Sequence, residues 1–393
     1  METLPLEGVV VADFSRVLAG PYATMLLADL GATVIKVERP GSGDDTRSWG
    51  PPWTEHSSSY FESVNRGKRS IALDLADPQD RETALDLVRR ADVLVENFKT
   101  GSLARHGLDQ ASARAINPRL IYTSISGFGS AGGADLPGYD FVVQALGGLM
   151  SITGDPDGPP TKVGVALVDV LTGKDAALGI MAALRHRELT GEGQHVEVNL
   201  LSSLLASLVN QMSGMLTTGV APQRMGNQHP SIAPYETLRC EDAFLAVAVG
   251  NDGQFRKLCE ALGLIALPDD PRFATNAQRV AHRAELVGHL ENVLGARTAA
   301  DWQRRLQALG IACGQVNDLP RAVHYAESLG LRPMVDPGGG AAMQVRMPID
   351  FSAHGSAEVT PPPLLGEHGK EVLAWLEDPE RPLPPIVPRR NSQ

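Results

Sequence analysis

The sequence predicts an α/β fold, with a Rossmann-like parallel-sheet large domain and a smaller α+β domain. Three observations carry this expectation. Short β-branched runs such as Val9–Phe14 and Thr33–Glu38 alternate with helix-length amphipathic stretches through the first half of the chain. Gly and Pro mark the joins, as at Ala19-Gly20-Pro21 and Gly31. Past Gly219 the character changes to a polar connection, GVAPQRMGNQHPSIAPY, followed by short strands and then helices.

Each element has a local reason. Val9–Phe14 is short, apolar and β-branched, hence a buried strand. A helix starts near Pro21, because proline in a first turn gives up only an N–H that lacks an intrahelical partner, and Gly31 ends it. Thr33–Glu38 is the next strand. A helix from about Pro78 to Arg90 leads to strands Ala91–Val95 and Leu120–Ser124. Later come a helix around Thr172–His186, a strand His195–Leu200, and an apolar helix running to about Leu216. That helix suits a subunit interface or a core equally. Strand–helix–strand repetition implies a parallel sheet flanked by helices.

The expected domains are 1–218, a large domain; 219–331, a small α+β domain; and 332–393, a segment returning to the large domain. In the small domain, strands are expected at Tyr235–Arg239 and Phe244–Val249, and helices near Gln254–Leu262, Asn276–Leu294 and Ala299–Leu309. The Pro-rich tail, PPPLLGEH and RPLPPIVPRR, reads as extended chain with a short helix at Lys370–Trp375.

Composition narrows the function. With 43% hydrophobic and 21% charged residues, the 393-residue chain has the profile of a globular enzyme. A net charge of −11 argues against nucleic-acid binding, which needs concentrated basic surface. It leaves room for an anionic ligand in a local Arg/Lys pocket. Cys240, Cys259 and Cys313 make neither a CxxC pair nor a disulfide framework, so a reducing cytoplasm is expected. No signal-like segment or run of about 18 apolar residues appears, and no membrane association is expected.

Several motifs fail on inspection. Gly127-Phe128-Gly129-Ser130-Ala131-Gly132 fits GxGxxG, but GADLPGYD follows, whose Gly and Pro disfavour the helix start that a dinucleotide fingerprint requires. A turn with close backbone approach is the better reading. His106, His186, His195, His229 and His368 have no metal-ligand spacing, so no metal is expected. GxSxG and P-loop patterns are absent.

Asp169 stands out because it interrupts an apolar run, KVGVALVDVLTGK, just before a helical pattern. Alone, such an Asp reads either as a helix cap or as a carboxylate kept ionised by the helix N-terminus. An ionised carboxylate can attack a thioester, since a thiolate leaves well and a reactive anhydride results.

Many blocks together resemble the class III CoA-transferase family, which includes formyl-CoA, carnitine and dicarboxylate CoA-transferases. They are Asp13–Pro52, Asn65–Leu75, Ala91–Gly101, SISGFG, the DVLTG at Asp169, Thr190–Leu200 and Pro363–His368. The resemblance spans about Leu6 to Leu373. It implies that Asp169 carries the acyl group covalently, and that Arg39, Leu73, Asn97, Phe98 and Arg105 fall at CoA-contacting positions. Arginine pairing with phosphates and apolar cover for adenine fit those residue types. Asn97 also reads as a strand-end turn former. Gly250-Asn251-Asp252-Gly253 resembles the family's mobile glycine-rich loop, and equally a strand-to-helix turn.

The resemblance further implies an interlocked homodimer, acyl-CoA and a small carboxylic acid as substrates, and no permanently bound cofactor. GNQHPSIAPY and GNDGQF resemble the dicarboxylate-using members, such as succinyl-CoA:glutarate transferases. Two departures bear on specificity. Formyl-CoA enzymes have a Gln where this chain has Leu18. The related α-methylacyl-CoA racemases, the alternative function, have Gly-His-Asp where Gly138-Tyr139-Asp140 stands here. Tyr, with an unperturbed pKa near 10, replaces an acid/base that racemisation needs. Tyr139 suits hydrogen bonding near the thioester or acceptor, or packing as a half-buried ring.

Overall fold

A computed structural model describes residues 3–378 and 380–386; the end of the RPLPPIVPRR tail lies outside them. The chain divides into two compact units. One comprises residues 1–149, 163–217 and 332–393, the other 150–162 and 218–331.

The larger unit is built on a six-stranded parallel sheet. Its elements run β1 (Val10–Asp13), α1 (Ala19–Asp29), β2 (Thr33–Glu38), β3 (Lys68–Ala72), α2 (Pro78–Arg90), β4 (Val93–Glu96), α3 (Gln110–Ile116), β5 (Ile121–Ser126), α4 (Asp140–Leu146), α5 (Leu167–Thr190) and β6 (His195–Asn199). The spatial order is β3-β2-β1-β4-β5-β6. All five pairings are parallel. This is the Rossmann order, whose direction of winding reverses between β1 and β4, and there the carboxyl ends open a crevice for ligands.

Strand alternation explains the two cores. Val11, Val34, Val93 and Val95 face one side, against Ala23 and Leu27 of α1 and Ala176 and Ile180 of α5. Ala12, Ile35 and Leu94 face the other, against Leu87 of α2, Ala113 of α3 and Trp375 of a C-terminal helix, Gly369–Glu377. α1 and α5 meet closely: a Cβ on Gly173 would stand 2.7 Å from the Ala19 carbonyl oxygen.

Several boundaries differ from expectation. α1 begins at Ala19, before Pro21, and α5 reaches from Leu167 to Thr190. β3 went unforeseen because Lys68, Arg69 and Ser70 look like surface. Lys68 is fully buried on Asp13, at 3.1 Å. The apolar stretch after β6 is two helices, Leu200–Ser207 and Val209–Thr218, the second opening on Val209 at φ 27.

The smaller unit has an antiparallel sheet of β7 (Tyr235–Arg239), β8 (Phe244–Ala248) and β9 (Ala312–Gln315), in that order. It packs on helices Asp252–Leu262, Arg283–Leu294 and Ala299–Ala308 through Leu238, Leu245, Phe255, Leu290 and Leu306. The helix expected over Asn276–Leu294 breaks at His282. No helix of the described residues is long and apolar enough to cross a membrane.

Candidate active site

Two cavities lie at the carboxyl ends of the parallel strands. The first, of about 340 Å³, has Arg16, Leu18, Ala19, Asn97, Tyr139 and Asp169 among its lining residues. The second, of about 330 Å³, has Phe14, Arg39, Leu73, Phe98 and Arg105 among its own. Arg16 and Phe98 line both, with the guanidinium 5.0 Å from the ring centroid. All five positions that the sequence singles out for CoA therefore border this pair of cavities.

Asp169 lies in the first turn of α5 and does not cap it. The cap comes from α4. Asp140 accepts from the Val168 N–H at 2.7 Å and the Asp169 N–H at 3.2 Å, and from Gln144 Nε2 at 2.6 Å. Gln144 in turn accepts from the Val163 N–H at 2.9 Å. α4 and α5 are thus locked at the point where Asp169 emerges.

That arrangement corrects one expectation. Asp169 is not held fully ionised at neutrality: burial, and then the nearby charge of Asp140, push its carboxyl up to about 7. The group is therefore more basic than an ordinary carboxylate. Tyr60 went unforeseen in the sequence. Burial raises its phenol to about 12, and the charges of Asp169, Asp140 and Asp44 add to the shift, so it stays an O–H donor. Its ring meets Trp49 edge-on, at 5.4 Å between centroids.

Tyr139 is 59% exposed and lines the first cavity, so it is not a half-buried packing ring. The GFGSAG segment is a turn, and no helix follows it until α4. Gly127 and Gly138 touch back to back: a Cβ on Gly127 would stand 2.5 Å from the Gly138 Cα. Glu197 of β6 fixes the loop, accepting from the Ser130 N–H at 2.7 Å and hydroxyl at 2.9 Å.

In the second cavity Arg39 and Arg16 share one carboxylate, Asp45, at 2.7 and 2.8 Å. Arg105 Nε donates to His106 Nε2 at 2.9 Å. Leu73 and Phe14 give an apolar floor. Such a set, cations at the rim over apolar cover, matches the phosphate and adenine ends of a nucleotide.

Gly250–Gly253 belongs to the smaller unit and forms the strand-to-helix turn. Asn251 accepts from the Gln254 N–H at 2.9 Å, and Gln254 accepts from the Gly250 N–H at 2.8 Å. Asp252 pairs with the buried Arg279 at 2.7 Å. Both polar side chains of this turn are therefore committed within the protein. Among the described residues no group of three or more His, Cys, Asp or Glu is placed to hold a metal ion.

Comparison with known proteins shows the family. The succinate–glutarate CoA-transferase of Agrobacterium fabrum is 46% identical over 396 residues, covering 97% of this chain and 98% of that protein. The succinyl-CoA:glutarate CoA-transferase of Mus musculus is 41% identical over 373 residues, covering 94% and 86%. A solved CAIB/BAIF family protein from Brucella suis superposes with a TM-score of 0.86 at 44% identity, covering 96% of this chain and 100% of that one. The family model described as CoA-transferase family III matches residues 6–369, and the chain belongs to that family.

Proposed function

We propose that this class III CoA-transferase moves CoA reversibly between a dicarboxylyl-CoA donor and a dicarboxylate acceptor, with Asp169 as the covalent carrier. The observation that carries the reading is Asp169 itself, a carboxylate of raised basicity on the wall of a cavity at the switch point of the sheet. The relatives act on succinyl-CoA and glutarate by name, and this pair is the proposed substrate pair here.

The chemistry balances in four steps. The Asp169 carboxylate attacks the thioester carbonyl and CoA thiolate leaves, giving a mixed anhydride. The thiolate attacks the Asp169 carbonyl, forming an aspartyl-CoA thioester and releasing the donor acid. The acceptor carboxylate attacks that thioester, freeing thiolate and forming a second anhydride. The thiolate attacks the acceptor's carbonyl, which yields the new acyl-CoA and restores Asp169. Arg39, Arg105 and Arg16 serve the phosphates, Leu73 and Phe98 cover the apolar parts, and Tyr139 meets the substrate at the cavity mouth.

The working form is proposed to be a homodimer in the cytoplasm. Leu146, Leu178, Leu189, Leu205 and Leu216 are all exposed on the larger unit, and α5 also exposes Met181 while burying Ala176, Ile180 and Leu184. The test is to offer succinyl-CoA with glutarate and a panel of monocarboxylates, and to identify the CoA products by mass spectrometry. Glutaryl-CoA formed in preference to the monocarboxylyl products is expected. Equal use of monocarboxylates would overturn the dicarboxylate assignment.

A further inference from the structure

The turn between β1 and α1, Ser15–Leu18, is gripped by side chains from three places in the larger unit. Lys36 Nζ donates to the Ser15 carbonyl at 2.8 Å. Asn97 accepts from the Arg16 N–H at 2.8 Å, and its amide donates to the Arg16 carbonyl at 2.7 Å. Both Asp44 carboxylate oxygens stand 3.3 Å from the Val17 nitrogen and accept from its N–H. Asp44 also pairs with Lys36 at 2.9 Å, neither side chain being exposed, and accepts from the Thr46 N–H and hydroxyl.

This grip holds an unusual conformation. Val17 has φ 70, a left-handed region that a β-branched residue occupies only where its surroundings impose it. A buried Lys–Asp pair is a poor source of stability, since desolvation offsets most of its attraction. Here it fixes geometry. Asn97 acts as one rung of a strand would, giving an acceptor and a donor to the same residue, and that role occupies both ends of its amide.

The position of this turn matters because of the two residues next along the chain. Leu18 and Ala19 line the cavity that Asp169 lines. Their N–H groups open α1, and among the described residues no protein group accepts from them. A shift of the turn moves both the wall and these donors relative to the carboxylate.

We propose that Asn97, together with Asp44 and Lys36, is a positioning residue for acyl transfer, holding Val17 at positive φ so that Leu18 and Ala19 keep their places beside Asp169. The proposal rests on Asp169 being the acyl carrier. It assigns Asn97 to the protein backbone rather than to the CoA molecule.

The test reads kcat and KM separately with succinyl-CoA and glutarate. Asn97→Ala should lower kcat about 10-fold while KM for succinyl-CoA changes less than about threefold, as for a group that acts on geometry rather than binding. Adding Val17→Gly to Asn97→Ala should recover about threefold or more of the loss, because glycine holds φ 70 without strain. Should Asn97→Ala be insoluble, Asn97→Asp carries the same test, since it keeps the acceptor for Arg16 and removes the donor. A rise in KM with kcat intact, or no recovery on adding Val17→Gly, overturns the proposal and returns Asn97 to direct CoA contact. Failure of the carrier reading itself looks different: wild-type enzyme turning over with no acyl label on Asp169.

Discussion

The two cavities sit side by side on one sheet and treat charge in opposite ways. In the second, Arg39 and Arg16 are paired with Asp45, and the Arg39 and Asp45 side chains are 58% and 39% exposed. A pair so close to water holds weakly, so a phosphate can take its place at little cost. In the first, burial and the nearby Asp140 charge both raise Asp169, and among the described residues no cation pairs with it. On the proposed function, binding is served by partners that exchange easily, and chemistry by a partner withheld. The contrast separates residues expected to move KM from those expected to move kcat.

The largest effect should come from Asp169→Ala, which is expected to lower transfer by about 1000-fold or more. Affinity for free CoA, measured by calorimetry, should hold within about threefold. Activity near the wild-type level would erase the distinction between the cavities. Next, Arg39→Ala or Arg105→Ala should raise KM for succinyl-CoA by about 10-fold, leave kcat within about threefold, and weaken the salt dependence of binding. A fall in kcat alone would place those arginines in the chemistry.

The pH profile sharpens the comparison further. Attack requires the carboxylate, so kcat should rise with pH through about 7 and level off above it. Burial also lifts Glu96 to about 7; Asp140→Asn separates the two. It removes a charge that raises Asp169 and keeps an oxygen for the two capped N–H groups, so the rise should move to lower pH. An unmoved profile would point to Glu96.

The smallest effect concerns stability. A carboxyl whose pKa is raised on folding is neutral at no penalty below the ordinary carboxylate range. It destabilises the fold increasingly as pH climbs to about 7. Asp169→Asn should therefore raise the melting point at pH 8 and leave it nearly unchanged at pH 4. After allowance for screening in the open cavity, the gain at pH 8 is about 1 kcal/mol. An equal gain at both pH values would mean that packing, not charge, sets it.

Much of this was legible in the sequence, and the exceptions have physical causes. β1, β2 and α2 are visible because their apolar spacing and punctuation agree with their burial. β3 is hidden because Lys68 is buried by an ion pair that only the folded sheet creates. Asp169 looks like a cap when read alone, and capping is performed instead by Asp140, 29 residues earlier in the chain. No local pattern reveals that pairing. The CoA positions came from resemblance, and their clustering around adjoining cavities is a property of the strand order. Tyr60 and the grip on Val17 left no local signal, since each depends on side chains from separate strands and loops.

The most direct measurement is to let the enzyme turn over succinyl-CoA in the presence of hydroxylamine or borohydride and map the modified peptide by mass spectrometry. The account predicts a hydroxamate, or the reduced alcohol, on Asp169 alone. Continued formation of glutaryl-CoA while the Asp169 peptide keeps its unmodified mass would contradict it.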